Sequence, residues 1–255
     1  LHDSLPNATY VGFTGTPVDD TIKVFGAVVD AYTMTESVRD GITVNLVYDG
    51  RAARVTLDQD KVRQIEEYYA QCEREGANEH QIEESQKAVA NLDIIIGDPD
   101  RLRAVAQDFI NHYETRVAEG ATVAGKAMFV CSNRNIAYVL YKIIVELRPE
   151  WAEKKVCADG VTLSEKDKKV LKPIEKIKMV MTRNKDDEPE LYEMLGTKDD
   201  RKELDRQFKN PKSNFKIAIV VDMWLTGFDV PELDTIYIDK PIQQHTLIQT
   251  ISRVN

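Results

Sequence analysis

A short polar loop toward the C-terminal end of the chain carries the residues best suited to chemistry. Thr226, Gly227 and Asp229 follow a predicted buried strand at 217–221, and a second apolar strand is predicted at 235–238. In open α/β sheets, ligands bind beyond the carboxyl ends of the strands. The loop therefore brings a hydroxyl, a closely approachable backbone and a carboxylate to a predicted ligand-binding edge. The alternative is that Gly227 only makes the turn.

Two other groups of residues could face a ligand. Ser132 and Arg134 follow a predicted buried strand at 127–131, at the start of a helix that Asn133 can cap. A helix N-terminus of this composition suits a phosphate contact, and the alternative is plain capping with a solvated arginine. Gln249 and Arg253 are four residues apart and share one face of a predicted helix, where they could also form an ordinary solvated pair.

Three stretches of the sequence resemble one known family. The segment LTGFDVPELDTIYIDKP, which begins at Leu225, and the segment QTISRVN, which ends at Asn255, resemble motifs V and VI of superfamily 2 motors. The segment GFTGTP at 12–17 resembles motif III. The form of these motifs is similar to that in the motor of the R subunit of type I restriction enzymes, and the resemblance extends from Thr14 to Asn255.

The resemblance implies roles at an ATP cleft. Gly227 and Asp229 would face the nucleotide, with Asp229 accepting from the ribose or orienting an arginine. Gln249 and Arg253 would be catalytic, and Arg253 would act as an arginine finger on ATP bound to another domain, a role worth about 10³–10⁵ in rate. ATP and Mg²⁺ are thus the expected cofactors of the full-length protein, and we expect neither to bind tightly to this chain alone.

The same resemblance implies contacts with DNA and a coupling element. Double-stranded DNA would be contacted by Ser132, Arg134 and Thr226. Thr14 and Thr16, which could also be plain turn residues, would link the nucleotide state to movement between the two motor domains. The other expected partners are the methylation and specificity subunits of the restriction complex.

The fold class predicted from the sequence is α/β, a mostly parallel sheet with helices on both faces, and the resemblance implies that this sheet is RecA-like. Helices are predicted from Asp98 to Gly120, from Asn133 to Pro149 and over 199–208, and a capping box is predicted at Ser164. The remaining strands are predicted at 8–13, 42–48, 156–158 and 177–182. The resemblance assigns 1–38 to the end of a first RecA-like domain and 39–255 to a second one, with a helical insertion at about 58–92.

Two sequence matches are interpreted as misleading. Gly120 to Lys126 fits the Walker A pattern, but a helix precedes it, a strand follows it, and Ala127 lacks the hydroxyl that would bind Mg²⁺. In the family the P-loop lies upstream of motif III, so we expect this chain alone not to hydrolyse ATP. The acid-x-Lys pairs at Asp167 and Glu153 resemble nuclease motifs but fit an ordinary charged surface better.

Composition limits the remaining possibilities. The 255 residues carry a net charge of −9, which argues against binding nucleic acid by bulk electrostatics alone. Three widely spaced cysteines and four histidines predict no metal site, and no apolar run predicts a membrane span. We expect a cytoplasmic motor component. The alternatives are another superfamily 2 DNA motor and a non-enzymatic interaction module with a degenerate motor fold.

Overall fold

The computed structural model describes residues 7–14, 19–51, 96–225 and 228–240, without the side chains of residues 19–21. Seven α-helices lie in these ranges: α1 (Asp19–Phe25), α2 (Met34–Arg39), α3 (Pro99–Ala118), α4 (Arg134–Leu147), α5 (Glu165–Val170), α6 (Pro189–Leu195) and α7 (Lys198–Lys209). Four strands lie among and after the later helices: β1 (Lys126–Cys131), β2 (Ile177–Met179), β3 (Ile217–Val220) and β4 (Leu233–Asp239).

The four strands form one all-parallel sheet in the order β2-β3-β1-β4. All six residues of the inner strand β1 are buried, as expected for a strand covered on both faces. Its odd-numbered residues pack with α3 and α4, and its even-numbered residues pack with Leu204 and Phe208 of α7. This arrangement confirms the predicted α/β, RecA-like class with helices on both faces of the sheet.

Local sequence signals explain where the main helices begin. The Asp98 carboxylate accepts from the amides of Asp100 and Arg101, and Pro99 occupies the first turn of α3. The Asn133 side chain accepts from the Ile136 amide at 2.9 Å and caps α4. Ser164 and Asp167 form the predicted capping box at α5. The three predicted starts are therefore confirmed.

Some predicted strands are wrong. The segments 8–13 and 42–48 are extended or irregular and pair with no strand among the described residues, and Phe13 and Val47 are more than 90% exposed. A strand needs a hydrogen-bonded neighbour, which an alternating pattern alone does not provide. At 156–158 a single bridge from Cys157 to Ser213 replaces the predicted strand. The predicted insertion at about 58–92 falls within 52–95, outside the described residues.

Within the described part of the chain, no helix is both long enough and apolar enough to cross a membrane. The same residues contain no cluster of three or more His, Cys, Asp or Glu side chains that could hold a metal ion. The predicted domain boundary between residues 38 and 39 stays a prediction.

Candidate functional site

The carboxyl ends of β1 and β3 open into one shared groove of about 1100 Å³. The two strands are parallel neighbours, so the loops that follow them emerge at the same edge of the sheet. Ser132 to Arg134 line the groove from β1, and Val221 and Asp222 line it from β3. The edge predicted from the sequence to bind a ligand is therefore an open concavity with both polar and apolar walls.

The N-terminus of α4 forms one wall of this groove. Asn133 caps the helix, and the Oγ atom of Ser132 is buried without a hydrogen-bond partner among the described residues. A helix N-terminus carries a partial positive charge, which attracts anions. The wall thus combines a positive helix end with a buried hydroxyl that lacks a partner among these residues.

Arg134 lies at this wall and is already held by the protein. Its guanidinium donates to both carboxylate oxygens of Asp187, at 2.5 and 2.6 Å, and to the carbonyl oxygen of Thr182. Burial acts to raise the pKa of Asp187, but hydrogen bonds from the Asn184 amide and from Arg134 outweigh it and keep this pKa below its ordinary value. Arg134 therefore fixes the loop over 182–188, and only the exposed third of its side chain remains available to an external phosphate.

The groove also contains charged residues that were not predicted from the sequence. Lys142 of α4 lines it, with its ammonium 4.2 Å from the centre of the Tyr138 ring. Asp186, Asp187 and Glu188 line the opposite side, immediately before α6. The acidic run ahead of Pro189 is a helix-start signal that was available in the sequence, but its position over α4 depends on the tertiary fold.

The loop between β3 and β4 carries Asp229. This residue is exposed, and its two neighbours, Phe228 and Val230, are buried at 6% and 1% exposure. On the other side of the loop, the Trp224 ring stacks on Phe228 with centroids 4.0 Å apart. The side chain of Asp229 is thus exposed to solvent, and the buried residues on either side of it fix the position of its backbone.

Of the other predicted site residues, the structure describes only Thr14. Thr14 is exposed in the irregular segment 7–14. Five predicted residues lie outside the described part of the chain: Thr16, Thr226, Gly227, Gln249 and Arg253. The structure therefore brings Ser132 and Arg134 together in the groove, and the assignments of the five remain predictions.

The Walker A match is a helix-to-strand turn, as predicted. Gly125 has a φ of +65°, and Lys126 begins β1 with no exposed surface. Its ammonium nitrogen donates to the carbonyl oxygen of Phe215 at 2.6 Å, and burial lowers the pKa of Lys126 to about 6. At neutral pH this lysine is therefore largely uncharged, and it is out of reach of a phosphate. Asp167, in the acid-x-Lys match, belongs to the α5 capping box and pairs with Lys212.

Comparison with known proteins gives consistent results. Residues 1–83 match the SWI2/SNF2 ATPase model. The chain is 37% identical over 260 residues to the type I restriction enzyme HindI endonuclease subunit of Haemophilus influenzae, a match that covers 100% of the chain and 22% of that protein. It is 54% identical over 43 residues to the type I restriction enzyme SauCOLORF180P endonuclease subunit of Staphylococcus aureus, over 17% of the chain and 5% of that protein.

The chain spans less than a quarter of the length of the HindI subunit. The family model for type I restriction enzyme subunit R domain 3 matches residues 123–255, a region that contains the whole sheet, most of the residues that line the groove and the β3–β4 loop. Because this match covers more than half of the 255 residues, the chain belongs to the type I restriction enzyme subunit R family.

Proposed function

We propose that this chain is part of a motor that uses ATP hydrolysis to move double-stranded DNA. It forms the second RecA-like domain of that motor, together with the end of the first one. The observation that carries the proposal is the groove where the loops after β1 and β3 meet at the carboxyl edge of the sheet. Membership of the R-subunit family supports the same function. The motor would work in the cytoplasm, in a complex with methylation and specificity subunits.

In this proposal the groove holds the phosphate backbone of DNA. The α4 N-terminus supplies electrostatic attraction for a phosphate. The Ser132 hydroxyl, buried and without a partner among the described residues, would turn toward the groove and donate a hydrogen bond to a phosphate oxygen. Lys142 would add a positive charge, and Thr226 would contribute a second hydroxyl. Arg134 serves mainly to hold the loop over 182–188 in place, with its exposed edge turned to the DNA. Contacts of this kind position the DNA without reading its sequence.

The nucleotide would lie between this domain and the preceding one. The described residues include no P-loop and no metal-binding carboxylate cluster, so they fit a role at one side of an ATP–Mg²⁺ site rather than a complete site. ATP supplies the free energy for movement. This chain would contribute Gly227 and Asp229 from the β3–β4 loop, with Gln249 and Arg253 from the segment after β4.

Arg253 would stabilise the negative charge that develops on the transferred phosphoryl group. Thr14 and Thr16, within the segment 1–38 predicted to end the first domain, would change partners when the cleft closes. Closure of the cleft would then couple the state of the bound nucleotide to the binding of DNA. The predicted insertion at about 58–92 would lie in the same second domain.

The test uses the full-length protein that contains this chain, with saturating linear DNA. Arg253→Ala should lower the rate of DNA-dependent ATP hydrolysis by about 10³-fold, with a much smaller change in ATP affinity. Asp229→Ala should impair the same step. The matched control is Arg103→Ala, because Arg103 is an exposed arginine on α3 that pairs only with Glu146 among the described residues.

Steady-state hydrolysis, nucleotide titration and thermal melting give the three readouts. Arg103→Ala should hydrolyse ATP at the unaltered rate. An Arg253 variant with a normal turnover rate would contradict the arginine-finger assignment. A full-length protein whose ATP hydrolysis does not respond to DNA would contradict the proposed function as a whole.

A further inference from the structure

Trp224, in the loop that follows β3, has a strained backbone. Its φ angle is +68°, and no other non-glycine residue in the described part of the chain has a positive φ. For a bulky L-residue this left-handed conformation is rare, because Cβ crowds the following carbonyl group. Strain of this kind persists only where the surroundings hold it, and it is found preferentially at functional sites.

Aromatic packing is what holds Trp224 in this conformation. Its ring lies nearly parallel to Phe228, with centroids 4.0 Å apart and an interplanar angle of 6°. It also stacks on the fully buried Phe208 of α7 at 5.3 Å. Lys209 places its ammonium 4.8 Å from the centre of the Phe228 ring. The two ends of the loop are thus joined to each other and to α7.

This stack lies beside the residues that the proposed function uses. Phe228 immediately precedes the exposed Asp229, and Val230 behind it is buried. The position of the Phe228 ring therefore determines where the Asp229 backbone lies. Burial alone does not explain the arrangement, because Trp224 keeps part of its surface exposed, whereas Trp151 packs in the core at 3% exposure.

We propose that Trp224 is a positioning residue, whose strained backbone and stack on Phe228 hold the β3–β4 loop in the shape that presents Asp229 at the carboxyl edge of the sheet. The inference rests on the proposed function, in which Asp229 faces the nucleotide. Trp224 contacts neither ATP nor DNA in this account. It acts through Phe228 and through the backbone that joins Phe228 to Asp229.

The test compares three variants of the full-length protein. Trp224→Leu removes the flat ring but keeps an apolar side chain, and it should lower kcat for DNA-dependent ATP hydrolysis by about 10-fold, since small misplacements of a catalytic loop are costly. The KM for ATP should change by less than about twofold, because most ground-state binding belongs to the other domain. Trp224→Phe keeps an aromatic face and should recover most of the rate. Trp151→Leu is the control, and it should lower the melting temperature without lowering kcat of the folded enzyme.

Amide hydrogen exchange gives a readout that does not depend on ATP. In Trp224→Leu the amides of residues 228–230 should exchange about 10-fold faster or more, with β1 and α4 unchanged. Three outcomes would each overturn the inference. Amide exchange at 228–230 could be unchanged in Trp224→Leu, or kcat could fall only in proportion to the folded fraction of that variant. The third is that Trp224→Phe does not recover kcat. If the unmodified protein shows no DNA-dependent hydrolysis, the proposed function fails, and the exchange result alone decides whether Trp224 holds the loop.

Discussion

The two ends of strand β1 differ in what their polar residues do. At the amino end, Gly125 and Lys126 complete a sequence that resembles a phosphate-binding loop, yet Lys126 is buried and donates to the Phe215 carbonyl oxygen. At the carboxyl end, Ser132 and Asn133 resemble no strong motif, yet they open into the groove. The strand that joins the two ends is six residues long. The direction of the strand, more than the motif, determines which end can bind a ligand.

The neighbouring strands repeat this asymmetry. Lys216, just before β3, is 7% exposed and donates to the Pro211 carbonyl oxygen at 2.6 Å. Lys176, just before β2, lies 4.8 Å from the centre of the Trp151 ring. No helix begins at these positions, so no helix N-terminus attracts a phosphate there. At the amino edge the lysines serve packing and hydrogen bonding.

The largest expected effect concerns the amino end and depends on pH. Burial lowers the pKa of Lys126 to about 6 and that of Lys216 to about 8, both below the ordinary 10.5. Above these values the unfolded chain binds protons that the folded chain has released, so stability should rise with pH up to about 10.5. Each lysine should contribute about 1.4 kcal/mol per pH unit within its window.

Lys126→Met should remove one of these contributions. At pH 7 the free energy of unfolding of the variant should be higher by roughly 2–3 kcal/mol. The variant avoids the cost of deprotonating Lys126 on folding, and the loss of the hydrogen bond to Phe215 offsets part of that gain. Near pH 10 the order should reverse, because the avoided deprotonation cost falls below about 1 kcal/mol and the lost hydrogen bond outweighs it. Urea unfolding of the chain from pH 7 to pH 10 measures this, with Lys166→Met on the exposed surface of α5 as the control. A constant difference between Lys126→Met and the unmodified chain would contradict the buried, uncharged state of Lys126.

A second, smaller effect concerns the carboxyl end. Asn133→Asp keeps an N-cap acceptor and adds a negative charge at the α4 N-terminus, so stability should hold or rise slightly. DNA affinity of the full-length protein should fall by about 10-fold, because the new charge repels the phosphate backbone. Ser164→Asp is the control, since it adds the same negative charge at the cap of α5, before β2 at the amino edge. Equal losses of DNA affinity in both variants would show that the position in the groove has no special importance.

The smallest expected effect is on the salt dependence of the affinity for DNA. Lys142→Gln should reduce the slope of log affinity for DNA against log salt by about 1, with a few-fold loss of affinity. Fluorescence anisotropy between about 50 and 200 mM salt measures the slope, and Lys166→Gln should leave it unchanged. An unaltered slope for Lys142→Gln would remove that side chain from the proposed DNA contact.

Much of the fold could be predicted from local signals. The start of α3 at Asp98–Pro99 and the start of α4 at Asn133 were predictable, because capping depends on residues within one turn. The strand predicted at 42–48 was wrong, since strand formation depends on a distant neighbour that the pattern does not identify. The α/β class itself followed from apolar strands alternating with amphipathic helices.

Prediction of the site was less complete for the same reason. Ser132 and Arg134 were predicted from their position after a buried strand, and both line the groove. The bond from Arg134 to Asp187 joins residues 53 positions apart, and no local pattern reveals it. The positive φ of Trp224 was equally hidden, because tryptophan is not a residue that favours the left-handed region.

The central claim, that DNA lies along the carboxyl edge of the sheet, can be tested most directly by site-specific crosslinking. A photoreactive amino acid would replace either Asn135, in the first turn of α4 at the groove, or Val123, in the turn before β1 at the amino edge. Both side chains are exposed, so reactivity alone does not separate them. In the full-length protein with linear double-stranded DNA, we predict DNA crosslinks from position 135 and none from position 123. Crosslinks from position 123 with none from position 135 would contradict the account.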